Sequence, residues 1–167
     1  MKTLYLIRHA KSDWKDGSES DFDRGLNKRG RKAVVTMSNA LKKMRIMPDL
    51  ILSSSAKRAR LTTMGLAENL GYKGEIRYLD ALYLADIETM ETIVSGLDKR
   101  YNTLFLVGHN PGLTLWFNLL TGSTIDNIPT LGIAGAAFPV ETWSQIKNTK
   151  AKKTFFIYPK MFKDPVQ

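Results

Sequence analysis

Two stretches of the chain share one pattern. Leu4-Tyr5-Leu6-Ile7 is an unbroken apolar run, and Thr103–Val107 (TLFLV) is another. Neither alternates apolar with polar residues, which is how strands buried on both faces of a parallel sheet read. Each run is followed, one residue further on, by a histidine. The first is followed by Arg8-His9, the second by Gly108-His109-Asn110-Pro111-Gly112, and these are the only two histidines in the chain. Open α/β sheets bind ligands just outside the carboxyl ends of their strands. The shared pattern therefore predicts that His9 and His109 meet in one phosphate-handling site.

The stretches between these runs supply the other layers. Lys11–Gly25 is polar, with Asp13, Asp16, Asp21 and Asp23, and reads as a loop arching over the end of the first strand. Asn27 is the predicted N-cap of a helix whose core stripe is Val34, Met37, Leu41 and Met44, with Pro48 closing the region. Leu50-Ile51-Leu52 predicts a second buried strand. A helix is expected after Ser53-Ser54-Ser55, which read as its cap, with Leu61, Met64, Ala67 and Leu70 inward and Gly71 as its stop. Arg58 then falls in the first turn of that helix, at the same sheet edge. Gly74–Leu79 predicts a short third strand. Asp86 is the expected cap of a helix carrying Ile87, Met90, Val94 and Leu97. Asn110 is expected to cap the last helix, with Pro111 at its first position and Leu113, Trp116, Phe117 and Leu120 facing the core. Ala136–Val140 and Thr154–Tyr158 predict two final strands in an antiparallel hairpin, followed by a mobile tail from about residue 159. This alternation predicts a three-layer α/β/α sandwich with a mostly parallel central sheet, formed by residues 1–167 as one domain.

Composition narrows the function classes. The chain has no cysteine, which excludes a disulfide scaffold and a cysteine-based zinc site. The two histidines do not have a metal-ligand spacing such as H-x-x-x-H, and no metal or other cofactor is expected. No window approaches the roughly eighteen apolar residues of a membrane span, and the first strand begins too early to leave room for a signal peptide. A cytoplasmic location without a membrane partner is the expectation. The formal charge of +9 favours an anionic partner. The lysines and arginines are dispersed, however, and lack the interleaved aromatics of an RNA-binding surface, so nucleic acid is not the expected partner. No G-x-S-x-G elbow surrounds Ser53–Ser55, which disfavours a serine hydrolase. Trp14 and Trp143 read as packing residues rather than ligand-stacking ones.

The residues at the strand ends suit phosphoryl transfer to a histidine. An attacking imidazole must be neutral, with its second nitrogen donating to a fixed acceptor such as a backbone carbonyl. The oxygens of the transferring group need donors that stay charged, and arginine supplies them in a fork. Arg8, Arg58 and His109 meet that need if the three strand ends are neighbours, and their charge replaces a metal.

The same residues resemble a family. Arg8-His9-Ala10 after an apolar strand is similar to the RHG/RHA signature of the histidine phosphatase superfamily, which is phosphoglycerate mutase-like in fold. Four further stretches resemble its small SixA-like phosphohistidine phosphatase branch. Asp23-Arg24-Gly25-Leu26-Asn27-Lys28-Arg29-Gly30 resembles D-x-R-P-L-T-x-R-G, and Ser54-Ser55-Ala56-Lys57-Arg58-Ala59-Arg60-Leu61-Thr62 resembles S-P-A-x-R-A-x-Q-T. Val107-Gly108-His109-Asn110-Pro111-Gly112 matches V-G-H-N-P-G, and Pro129-Thr130-Leu131-Gly132-Ile133-Ala134 resembles P-T-x-x-I/V-A. Gly25, Ser55 and Leu61 stand where the family usually has Pro, Pro and Gln. The resemblance implies His9 as the phosphorylated nucleophile and Arg8, Arg58 and His109 as the phosphate pocket, with His109 also stabilising the transition state. It gives the Asp23–Gly30 stretch a structural role.

Larger superfamily members place an acidic group between the Arg58-type helix and the second histidine, and Leu79–Glu88 lacks their acidic motif. Phosphohistidine needs less acid help than a phosphomonoester. The resemblance therefore implies a monomeric phosphohistidine phosphatase acting on a phosphohistidine-bearing protein, such as a phosphotransfer domain. Two alternatives stand beside it. One is a phosphomonoesterase for a small metabolite, with Asp80, Asp86 or Glu88 as acid. The other is a nucleic-acid-binding module that uses the positive charge.

Overall fold

The computed structural model describes residues 1–14 and 19–162. The elements in chain order are β1 (Lys2–Arg8), α1 (Lys28–Lys43), β2 (Leu50–Ser54), α2 (Lys57–Leu70), β3 (Ile76–Leu79), α3 (Ile87–Ser95), β4 (Thr103–Gly108), α4 (Gly112–Thr121), β5 (Ile133–Phe138) and β6 (Lys152–Ile157). They form a six-stranded sheet in the order β3-β2-β4-β1-β5-β6. β1 to β4 are mutually parallel, whereas β5 runs antiparallel to β1 and β6 antiparallel to β5. Helices cover both faces, giving the three-layer arrangement that the alternation predicted.

The continuous apolar runs explain the layering. Because strand side chains alternate faces, Leu4, Leu6, Leu104 and Leu106 pack under α3 and α4, with Trp116 and Phe117 at the centre. Tyr5, Ile7, Phe105 and Val107 pack under α1 and α2, against Met37, Leu41 and Leu66. A strand polar on either face would have left one of these layers without a partner surface.

Several local expectations are corrected. Met44 follows the last turn of α1 and is largely exposed, as is Met64 on α2, while Leu61 is half-buried. The buried face of α2 instead runs through Arg58, Ala59, Thr62, Thr63, Leu66, Ala67 and Leu70. An apolar stripe could not reveal this face, because its polar members are satisfied internally. The Thr62 hydroxyl donates to the Arg58 carbonyl at 2.8 Å and accepts from the Ala10 N–H at 2.9 Å, and the Thr63 hydroxyl donates to Ser53 Oγ at 2.8 Å. The serines do not cap α2, whose N-cap is Ala56. Pro111 is the N-cap of α4 rather than its first residue, and Asn110 reaches past it, its side-chain oxygen accepting from the Thr114 hydroxyl at 2.7 Å. β3 begins two residues later than expected, and β5 begins at Ile133, ahead of the predicted start. A 3-10 turn over Trp143–Asn148 separates β5 from β6, so the pair is antiparallel but not a tight hairpin.

The expected caps at Asn27 and Asp86 accept from the N–H groups of Gly30 and Thr89, and Gly71 ends α2 in the left-handed region at φ 70°. The chain after β6 forms a 3-10 turn over Pro159–Phe162 beside α1. The remaining tail, residues 163–167, lies outside the described residues, as does Asp16 in the expected acidic loop.

The start of α1 is clasped to the chain just beyond His9. The Asn27 N–H donates to the Lys11 carbonyl at 3.1 Å and the Asn27 side-chain amide donates to the Ser12 carbonyl at 3.2 Å. Gly30 makes that approach possible, since a Cβ there would lie 2.2 Å from the Lys11 carbonyl oxygen. The obstacle is backbone on both sides, so it cannot rotate away. Gly30→Ala is expected to lower stability by about 1–3 kcal/mol, read as a lower urea midpoint with an unchanged m-value.

Candidate active site

The pairing of β1 with β4 sets the site. The two strands run in register from Thr3 opposite Thr103 to Arg8 opposite Gly108. The next residue of each chain is a histidine, so the imidazoles emerge side by side, with ring centroids 5.2 Å apart. β2 lies against the other edge of β4 and delivers α2 and Arg58 to the same rim. On the far side, the antiparallel direction of β5 brings the segment before it, rather than the one after it, to this edge. Leu131 N–H donates to the Arg8 carbonyl at 3.0 Å, Arg8 N–H donates to the Gly132 carbonyl at 3.1 Å, and Arg8 Nη1 donates to the Ile128 carbonyl at 3.0 Å. All four predicted site residues, Arg8, His9, Arg58 and His109, line one cavity of about 260 Å³.

The partners of His9 assign its tautomer. Nδ1 lies 2.7 Å from the Ala10 carbonyl oxygen, which can only accept, so this nitrogen carries the hydrogen. Nε2 receives the Nε–H of Arg58 at 3.3 Å and therefore bears the lone pair. Thr62 fixes the backbone involved by accepting from Ala10 N–H. Burial, together with the guanidinium groups of Arg58, Arg8 and Arg24, pushes the His9 pKa down to about 4, although the Ala10 carbonyl acts in the opposite direction. His109 is pushed down to about 3, by burial first and then by His9 and Arg58. Both rings are neutral at physiological pH. The cations around them are the arginines, with burial and Arg58 also lowering the pKa of Arg8.

Arg58 is held from behind by Asp21. Its Nη1 donates to the Asp21 carbonyl at 2.6 Å and its Nη2 to the Asp21 carboxylate at 3.0 Å. The same carboxylate accepts from Arg24 Nη2 at 2.8 Å and from the Tyr83 hydroxyl. The Tyr83 hydroxyl and the two guanidinium groups hold Asp21 well below the usual carboxylate range, while that carboxylate pushes the Tyr83 hydroxyl up. Tyr83 also stands edge-on to His109, with ring centroids 5.4 Å apart. Arg24, read from sequence as part of a structural stretch, is buried, bonds to Ser12 Oγ and lines the cavity. Trp14 is not a core residue. It is 75% exposed at the cavity rim, and the Arg24 guanidinium carbon lies 3.4 Å from its ring centroid. Trp143 is fully buried, as expected.

No carboxyl group lines the cavity among the described residues. Asp80 accepts from Ser55 Oγ, Asp86 caps α3, and Glu88 joins Asp86 at a separate depression beside Leu84 and Leu115. The described residues contain no cluster of three or more His, Cys, Asp or Glu side chains able to hold a metal ion, and none of their helices is long and apolar enough to cross a membrane. Sequence reasoning missed Asp21, Tyr83, Ser54 and Thr62. The Ser53-Ser54 pair was the available signal, because polar residues closing a buried strand require partners inside the protein.

The model of the histidine phosphatase superfamily (branch 1) matches residues 4–106. The chain belongs to that superfamily. A crystal structure assigned as the phosphohistidine phosphatase SixA of Agrobacterium tumefaciens superimposes with a TM-score of 0.82 at 30% identity, covering 95% of this chain and 98% of that one. This places the chain in the SixA-like branch. A protein histidine phosphatase SixA complexed with tungstate shares the fold, with a TM-score of 0.83 at 19% identity over 96% of this chain and 99% of that one. The same fold extends to a mycobacterial glucosyl-3-phosphoglycerate phosphatase, at a TM-score of 0.67 and 17% identity over 93% and 98% of the two chains. An uncharacterized chloroplastic protein of Arabidopsis thaliana is 30% identical over 74% of this chain, and the matched region spans 61% of that protein.

The depressed histidine pKa values predict an acid-sensitive fold. An unfolded histidine titrates near 6.5. Between about pH 6.5 and 4, the unfolded chain therefore binds protons that native His9 and His109 do not. Stability falls as pH drops through that window. Urea unfolding at pH 7 and pH 5 should show the lower midpoint at pH 5. Imidazole NMR signals of the native protein should stay in the neutral form at both values.

Proposed function

We propose that the chain is a metal-independent phosphohistidine phosphatase acting on a protein partner through a covalent phospho-His9 intermediate. The observation that carries this reading is the state of His9, a neutral imidazole whose Nε2 lone pair faces guanidinium groups in a cavity with no lining carboxyl group among the described residues. In the first step, Nε2 attacks phosphorus and the P–N bond of the substrate breaks. Its electron pair stays on the departing nitrogen, and the substrate imidazole, protonated at its other nitrogen, leaves as a neutral ring. Arg8 and Arg58 neutralise the phosphoryl oxygens throughout. In the second step, water attacks phospho-His9, releases inorganic phosphate and restores the neutral ring.

An alkoxide leaving group would need a proton at the moment of departure. Asp80, Asp86 and Glu88 do not line the cavity, and Asp21 is committed to two arginines and a tyrosine. The likeness to a SixA protein supports the phosphohistidine reading. The wider fold also includes a phosphatase of a small phosphorylated sugar acid, so substrate class is what the experiment must decide.

Wild type and His9→Ala are assayed with EDTA present, on a phosphohistidine-bearing phosphotransfer domain and on an alkyl phosphomonoester. His9→Ala should lose more than about 10³-fold in turnover, and base-quenched wild type should carry an acid-labile phosphoryl group. Asp80→Asn, Asp86→Asn and Glu88→Gln should each leave phosphohistidine turnover within about twofold, because none of the three supplies the proton in this mechanism. Comparable turnover of the alkyl ester, abolished by removing one carboxyl, would instead establish the metabolite phosphatase.

A further inference from the structure

Ser54 is the last residue of β2. It is fully buried, and its hydroxyl has no part in the two steps above. Two groups lie within hydrogen-bond reach of Oγ among the described residues. The Ala56 backbone N–H donates to it at 3.2 Å, and His109 Nε2 stands 2.8 Å away. A backbone N–H cannot accept, so the serine proton has a single acceptor available, the Nε2 lone pair of His109.

The opposite arrangement, with Nε2–H donating to Ser54, has two costs. It leaves a buried hydroxyl hydrogen without an acceptor, where an unmet polar group is costly. It also leaves His109 Nδ1 as a bare lone pair. That nitrogen is buried and, like Nε of Arg8, has no hydrogen-bond partner among the described residues, and His109 lines the cavity together with the guanidinium groups of Arg8, Arg24 and Arg58. A lone pair facing the oxygens of a phosphoryl group is repelled, whereas an N–H is attracted.

We infer that Ser54 is a positioning residue that holds His109 in its Nδ1–H tautomer, so that the ring offers a donor to the transferring phosphoryl group. The role in transfer rests on the proposed function, but the tautomer assignment does not. The two histidines then share one tautomer but offer opposite nitrogens to the phosphoryl group. The Ala10 carbonyl makes His9 an Nε2 nucleophile, and the Ser54 hydroxyl makes His109 an Nδ1–H donor. One tautomer at two strand ends thus serves two roles, each set by one local partner.

Long-range proton–nitrogen correlation spectra of ¹⁵N-labelled protein at pH 7 test this directly. With two histidines in the chain, the His9→Gln variant assigns both rings. The expected result in the wild type is Nδ1–H for both. In Ser54→Ala, His109 should gain Nε2–H character while His9 keeps its pattern. In the same variant, the affinity for tungstate should fall by about tenfold, as should kcat/KM on a phosphohistidine protein, with the loss reaching kcat. Nε2–H on His109 in the wild type overturns the inference, as does an unchanged His109 pattern or unchanged tungstate affinity in Ser54→Ala. The wild-type spectrum decides the tautomer even if the variant does not fold. Failure of the His9 assay would leave that spectrum unaffected, so the two readings fall separately.

Discussion

The in-register pairing of β1 with β4 is the contact on which the molecule depends. It is the centre of the sheet, and both strands are buried on both faces, so a slip by one residue would turn Tyr5 and Leu6 toward the wrong helices. The same slip would separate His9 from His109. Core packing and site assembly are therefore one constraint. The leucines and isoleucines that specify register also deliver two imidazoles to the same end. The backbone then extends this order outward, because Leu131 N–H bonds to the Arg8 carbonyl and His9 N–H to that of Gly108.

The rim formed in this way gathers like charge. Arg8, Arg24 and Arg58 surround two buried rings, and Asp21 is the carboxylate that bonds to two of the three arginines. Such an arrangement is unfavourable in isolation, and its guanidinium groups add to burial in lowering the pKa values of both rings. It becomes favourable when an anion enters. Burial first, and the surrounding guanidinium groups after it, keep His9 neutral, and a phosphoryl group would neutralise that positive field, so binding and activation would draw in part on the same electrostatics. This explains how a site with a strongly basic surround keeps a usable lone pair at neutral pH.

What was legible in the sequence follows from what is local. Arg8, His9 and His109 sit within two residues of a buried strand, and Arg58 sits in the first turn after one, so reading the strands located all four at one sheet edge. The caps at Asn27 and Asp86 were legible for the same reason. The missed residues act across the chain. Asp21 reaches Arg58, Tyr83 reaches Asp21, and Ser54 reaches His109 over 55 positions. A polar residue in a loop carries no mark of which distant partner it meets. Thr62 and Thr63 misled for a further reason. They lie on the buried face of α2, where an apolar stripe is expected, and their hydroxyls are satisfied by partners that only the fold brings near. Trp14 was misread because an aromatic ring stacked on a buried arginine at a cavity rim has the same one-letter signature as a core residue.

Arg58 joins the resting site to the proposed reaction. At rest, its Nε–H lies on His9 Nε2, the atom that would attack phosphorus. Its two other nitrogens are anchored to the carbonyl and carboxylate of one residue, Asp21. In the proposed reaction, a guanidinium held at that end would tilt to move Nε–H from the imidazole to a phosphoryl oxygen while keeping Asp21. The exchange is favoured by the bonds involved, since a neutral nitrogen acceptor at 3.3 Å is weaker than a charged oxygen. In the proposed reaction the resting contact would serve as a placeholder. It would keep the lone pair of His9 satisfied until an anion takes the donor away. Asp21, which touches neither histidine ring by a hydrogen bond, sets the pivot about which that exchange would occur.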